Sequence, residues 1–151
     1  MELAICSARA GMRRGRGGPF GACIVRGLRV VACAHNSVLT SHDPTAHAEI
    51  NAIRAAARKL KTFNLRGHVI YATTEPCPMC FAAIHWARLD RVVYGTAIAD
   101  VRKRGFNELR VSCRTLARRG GSAVKITPGF MRPACRKLLA AWDGLKRKRV
   151  Y

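Results

Sequence analysis

His47-Ala48-Glu49 and, further along, Pro76-Cys77-Pro78-Met79-Cys80 hold the side chains best suited to chemistry. One imidazole and two thiolates are the protein share of a tetrahedral zinc whose fourth position is left to water. Zinc held this way brings the pKa of a bound water toward neutrality, and a glutamate beside a ligand can then carry its proton. A structural zinc would close its shell with a fourth Cys or His. His35, His42, His68 and His85 are candidates, but no spacing recommends any of them. A Cys-His nucleophilic pair is the competing chemistry. The second cysteine at i+3 and the nearby glutamate favour metal. The pattern predicts a catalytic zinc (Zn2+) site of His47, Cys77 and Cys80, with Glu49 as general acid and base and not a ligand.

The elements that must bring these residues together can be read from periodicity. Glu2 to Met12 has a helical period and ends in the Gly-rich turn Gly15-Arg16-Gly17-Gly18-Pro19. Gly21–Arg26 and Leu28–Ala34 are apolar runs on either side of Gly27, a hairpin signal. Asn36 to Ala46 reads as a polar loop. The helix after it takes Thr45 as N-cap, with Ile50, Ile53 and Ala57 on one face. Val69–Ala72 is a short buried strand, Cys77–Arg88 a helix, Val92–Tyr94 a strand and Ala99–Phe106 a short helix. Ala123–Ile126 makes a fifth strand, and Pro133–Leu145 closes as a helix whose basic end suits its dipole. Strands separated by helices predict an α/β sandwich with parallel later strands. Both metal motifs open helices that follow strands, so they meet beyond strand ends. Helix N-termini also favour thiolate at Cys77 and Cys80.

Composition sets the outer limits. A chain of 151 residues with 49% apolar and 7% aromatic content suits one globular domain spanning 1–151. No run approaches the ~20 apolar residues of a membrane helix. Met1-Glu2-Leu3-Ala4-Ile5-Cys6 carries an acid and no basic n-region, so no signal peptide is expected. Cys6, Cys23, Cys33, Cys113 and Cys135 stand singly in apolar surroundings, as small hydrophobes in a reducing cytoplasm would. The net charge of +20 implies attraction to nucleic acid or a phosphorylated substrate, or merely an arginine-rich composition. Its densest clusters are Arg13-Arg14-Gly15-Arg16 and Lys146-Arg147-Lys148-Arg149. Four of the eight acids, Asp43, Glu49, Glu75 and Glu108, fall in or beside the expected site. Glu75 reads as an acceptor of backbone hydrogen bonds that fixes its loop.

The strings Gly17-Gly18-Pro19-Phe20-Gly21-Ala22, Asp43-Pro44-Thr45-Ala46-His47-Ala48-Glu49, Glu75-Pro76-Cys77-Pro78-Met79-Cys80 and Ala83-Ile84-His85-Trp86-Ala87-Arg88 carry a resemblance. From Gly18 to Phe106 the chain resembles the cytidine deaminase superfamily, whose H-x-E…P-C-x-x-C signature is shared by zinc-dependent base deaminases. Its guanine deaminase branch is the most similar. That resemblance implies a three-layer α/β/α sandwich around a five-stranded mixed sheet. It also implies a cytoplasmic homodimer and hydrolytic deamination of a free purine base, guanine to xanthine plus ammonia. In that branch an acidic residue ends a Gly-Phe segment and contacts the purine. Gly105-Phe106-Asn107-Glu108 looks similar, which gives Glu108 the base edge and a second proton shuttle. Asn36 would hold another edge, with Phe20 and Trp86 on the faces. Arg149-Val150-Tyr151 resembles a tail whose tyrosine reaches a neighbouring subunit's site.

A second resemblance points elsewhere. Val124-Lys125-Ile126-Thr127-Pro128-Gly129 and the last helix are similar to bacterial tRNA adenosine deaminases, which share Asn36 and the Asp-Pro-Thr-Ala-His-Ala-Glu string. It implies adenosine-to-inosine conversion in tRNA on a basic surface. Those enzymes usually carry a smaller aliphatic residue in place of Phe20 and nothing matching Glu108, and a tyrosine-capped pocket would deny RNA its groove. A non-catalytic zinc module that binds RNA would use the cysteines and the charge but leave Glu49 unexplained.

Overall fold

Gly27, at φ 55°, turns the chain between β1 (Gly21–Arg26) and β2 (Arg29–His35), an antiparallel hairpin. The computed structural model describes residues 1–151. On its other edge β1 pairs antiparallel with β3 (Val69–Thr74), and β4 (Arg91–Thr96) and β5 (Lys125–Thr127) follow in parallel. The result is a five-stranded mixed sheet in the order β2-β1-β3-β4-β5. The parallel later strands follow from helical crossovers, as expected.

Helices cover both faces. On one side, α1 (Glu2–Arg13) buries Ile5, Ala8 and Met12, while α7 (Arg132–Asp143) buries Leu138, Leu139 and Trp142. Gly95 of β4 lets α7 lie close, because a side chain there would collide with Cys135. On the other side, α3 (Ala48–Leu60) and α4 (Pro78–Trp86) pack on Ala22, Ile24, Ile70 and Val92. The buried stripe of α3 is Ala48, Ala52 and Ala56, four apart, with Ile50 also buried. Ile53 and Ala57 are half-buried, with Ile53 still packed against the core, so the alanine stripe lies at the centre of the buried face and the expected residues on and beside it.

Several boundaries differ for local reasons. Thr45 does not cap α3. Its amide and hydroxyl both bond Asp43 Oδ1, at 2.7 and 2.6 Å, and the helix begins only after His47. The loop before it contains the single turn α2 (Val38–Ser41). The helix expected over Ala99–Phe106 is the shorter α5 (Ile98–Arg102), and Gly105 at φ 89° turns the chain after it. Between α5 and β5 lies an unexpected α6 (Cys113–Arg119), whose first turn is capped by Ser112 Oγ accepting from Thr115 N–H at 3.1 Å.

The solitary-cysteine reading also fails in part. Cys23 and Cys33 are register partners across the hairpin with Cα atoms 4.1 Å apart, and the structure joins them as a disulfide. Cys6 is exposed, whereas Cys113 and Cys135 are buried as expected. No helix is long and apolar enough to cross a membrane.

Candidate active site

The site lies where the C-terminal end of β3 and the ends of its neighbours open toward the starts of α3 and α4. His47 is the residue just ahead of α3, and Cys77 the one just ahead of α4. Pro78 at the first helical position of α4 needs no amide partner and fixes the entry of the chain. Cys80 then falls in the first turn. His47 Nδ1 is 3.7 Å from Cys77 Sγ and 3.5 Å from Cys80 Sγ. Zinc at ~2.0–2.1 Å from nitrogen and ~2.3 Å from sulfur in a tetrahedron requires N···S separations of about 3.6 Å. The three donor atoms, all within 4.8 Å of one another, therefore fit the ion.

Charge at these atoms is already arranged for a cation. Cys77 is pulled down to about 4, chiefly by its hydrogen bond with Cys80 and then by His47, while Cys80 is pushed up by the same bond and by burial. One thiolate thus stands ready and the second proton leaves on metal binding. Burial alone would lower His47, but Cys77 and the charge of Glu49 outweigh it and raise the imidazole.

Glu49, in the first turn of α3, is 7% exposed. Burial pushes its carboxyl up to about 7, against the opposing charge of His47 and reinforced by Cys77. Such a carboxyl exchanges protons near neutrality, as a general acid and base must.

A cavity of about 240 Å³ opens beside the metal residues. Glu49, Glu75 and Glu108 reach it together with His47, Phe20, Phe106 and Tyr151. Three of the four acids singled out in the sequence thus converge. Asp43 does not, because it holds Thr45 and pairs with Arg54 at 3.6 Å. Glu108 is raised by burial, with Cys77 adding and His47 opposing. Phe20 meets the ring of Phe106 edge-on at 5.1 Å. Glu75 accepts from the amides of Ile98 and Cys113, the backbone role its sequence suggested.

Asn36 lies directly behind this wall and is 1% exposed. Its amide donates to Phe20 O, and its Oδ1 accepts from Val38 N–H at 3.2 Å. Its Nδ2 is buried without a partner. Gly17 has no side chain because one would collide with Asn36 Oδ1. Asn51, which the sequence reading passed over, ties the loop to α3 by donating to His35 O, Ser37 Oγ and Ala46 O. Its signal was an amide among the alanines of that helix.

One residue stands elsewhere than expected. Trp86 ends α4, 77% exposed, and faces a separate surface cavity with Phe63 and Arg88. Nine residues of helix separate it by about 13 Å from the cysteine end, too far to cover a base. Tyr151 lines the cavity, beside Phe106 and Glu108. Trp142 of α7 is near Phe106, so residues 144–151 suffice to return the tail to the cavity.

A mixed sheet, a His/Cys/Cys set ahead of two helices and a buried glutamate between them define a zinc-dependent deaminase. Residues 1–96 match the cytidine and deoxycytidylate deaminase zinc-binding region, and the chain belongs to that family. It is 44% identical to guanine deaminase of Bacillus subtilis (strain 168) over 108 residues, 72% of this chain and 69% of the relative. It is 33% identical to the tRNA-specific adenosine deaminase of Buchnera aphidicola subsp. Baizongia pistaciae (strain Bp) over 132 residues, 86% of this chain and 78% of the other. Among solved structures, guanine deaminase from Nitrosomonas europaea superposes with a TM-score of 0.87 at 26% identity, covering 95% of this chain and 82% of that one.

Proposed function

We propose that this deaminase acts on a free purine base, guanine first, releasing xanthine and ammonia. The observation that carries this reading is the cavity itself. At about 240 Å³ it falls below the ~300–1,000 Å³ of pockets for drug-sized ligands, and Tyr151 of the same chain walls it. A flat base fits such a volume better than a nucleotide within RNA does. The 44% identity to a guanine deaminase supports the same choice.

His47, Cys77 and Cys80 would hold the zinc, which would supply an activated water and Lewis acidity. Glu49 carries the protons. It accepts one from the attacking water and delivers it to a ring nitrogen beside the amino-bearing carbon; the proton left on the added hydroxyl then passes to the amino group, so that ammonia leaves and a carbonyl remains. In guanine that carbon is flanked by two ring nitrogens. Glu108, held across the cavity, grips the base edge and serves as the second shuttle. The unpartnered Nδ2 of Asn36 supports its role at another edge, since a buried donor left open in the free protein is explained by a ligand acceptor. Phe20 and Phe106 offer the apolar faces. The enzyme works as a cytoplasmic homodimer in this reading.

A second reading, tRNA adenosine deamination, draws on the +20 charge and the 33% identity to a tRNA-specific enzyme. Ammonia release from guanine, guanosine, adenine, cytosine and a tRNA anticodon stem-loop, by zinc-loaded protein, separates the two. Turnover of guanine that is insensitive to moderate salt is expected. Release from the RNA alone, falling steeply as salt rises, would replace the first reading with the second.

A further inference from the structure

We infer that Glu75 is a positioning residue for the segment that presents Glu108. Its carboxylate accepts from the amide of Ile98 through Oε2 at 3.4 Å and from the amide of Cys113 through Oε1 at 3.1 Å. Ile98 is the first residue of α5 and Cys113 the first of α6. Amides at that position have no partner within their own helix. The connection between these two helices carries Phe106, Asn107 and Glu108, all of which line the cavity. One buried carboxylate therefore holds the starts of both helices, and with them the segment 98–113 that contains the connection.

The anchor point is the metal loop itself. Glu75 immediately precedes Pro76 and Cys77, and its own amide donates to Thr96 O of β4 at 2.8 Å. A second bond runs the same way: Cys113 Sγ donates to Pro76 O at 3.2 Å. Glu75 thus ties the metal loop directly to the segment that carries Glu108. With both oxygens engaged by amides, Glu75 serves as a clamp and not as a proton carrier. The inference rests on Glu108 meeting the substrate as proposed above, and it assigns Glu75 no contact of its own with the base.

Glu75→Gln keeps the shape but turns one acceptor toward an amide as a donor. The variant is expected to keep its zinc and to exchange the Ile98 and Cys113 amides at least about tenfold faster, with the amides of α3 unchanged. On whichever substrate of the panel the wild type turns over, kcat/KM should fall about tenfold or more. The double variant with Glu108→Ala should be no slower than Glu108→Ala alone, because Glu75 acts through that residue. Loss of zinc, unchanged exchange, or losses that multiply would overturn the inference. A wild type inactive on guanine would sink the purine reading separately, since the exchange experiment needs no substrate. Should Glu75→Gln fail to fold, Cys113→Pro, read against Cys113→Ala, which removes only the thiol's bond to Pro76 O, deletes one of the two amide donors at a helix position that tolerates proline. Ser112 before it is already extended at φ −74°, ψ 154°. The same non-multiplying loss with zinc retained is expected, and unaltered kinetics would overturn the inference.

Discussion

The hydroxyl of Tyr151 accepts a hydrogen bond from the amide of Gly18 at 3.0 Å, across 133 residues of sequence. The ring stands edge-on to Phe106 at 5.6 Å, and the Tyr151 carbonyl accepts from Asn107 N–H. The tail is thereby fastened to both walls of the cavity. Burial raises the phenol, against the Gly18 amide that opposes it, so the hydroxyl stays neutral and its proton is free for a ligand. Tyr151→Phe keeps the wall and loses this bond. A neutral hydrogen bond contributes about 1 kcal/mol, so KM for guanine should rise about fivefold with kcat nearly unchanged. A larger fall in kcat than rise in KM would assign Tyr151 to the chemical step.

Glu49→Ala is expected to bind zinc as the wild type does and to lose about 10³-fold or more in turnover, in line with general acid–base catalysis. Metal content and ammonia release on the same sample check both halves. Loss of the metal would make Glu49 a ligand or a prop. Cys80→Ala, by contrast, should lose the metal, and chelation of the wild type should lower its melting temperature.

Glu108→Ala should impair guanine more than adenine or cytosine, with kcat/KM ratios as the readout. A buried partner left unpaired at a base edge costs about 1–3 kcal/mol, or roughly five- to 150-fold. Equal losses on every base would remove its part in selecting the substrate.

Acid sensitivity has a local source at Asp100. Burial would raise this carboxyl, but the Ala97 amide and Arg132, at 3.1 Å each, outweigh it and hold it below the usual range. A depressed carboxyl contributes stability above its unfolded value of ~3.9, and that contribution disappears as pH falls through the folded value. Asp100→Asn should therefore melt lower than the wild type at pH 7, by about 1 kcal/mol, with the gap closing below pH ~3.9. A gap that persists at low pH would make the effect one of packing.

Much of the metal site was legible because its residues are close in sequence and chemically rare. A histidine and two cysteines at fixed spacing ahead of helical periods leave few alternatives. The hairpin and the parallel pairing of the later strands followed from the alternation of strands and helices. What the sequence hid was tertiary. Trp86 belongs to the string Ala83–Arg88, yet a helix carried it away from the pocket. The Cys23–Cys33 pairing depends on hairpin register, which cysteine counting ignores. The centre of the buried face of α3 was misread because large residues were weighted over the alanines that pack closest. Helix α6 did have a signal in Ser112 and Thr115, a cap too short to stand out beside a long apolar period.

The catalytic metal set and Glu49 come from the starts of α3 and α4, built on strands, whereas Glu108, Phe106 and Tyr151 come from a connection and a tail. In the proposed reading, reactivity and much of recognition are thus encoded in separate stretches of the gene. A lineage could exchange one base for another, or a base for a folded RNA, by rewriting the connection and the tail while the reaction centre is inherited intact.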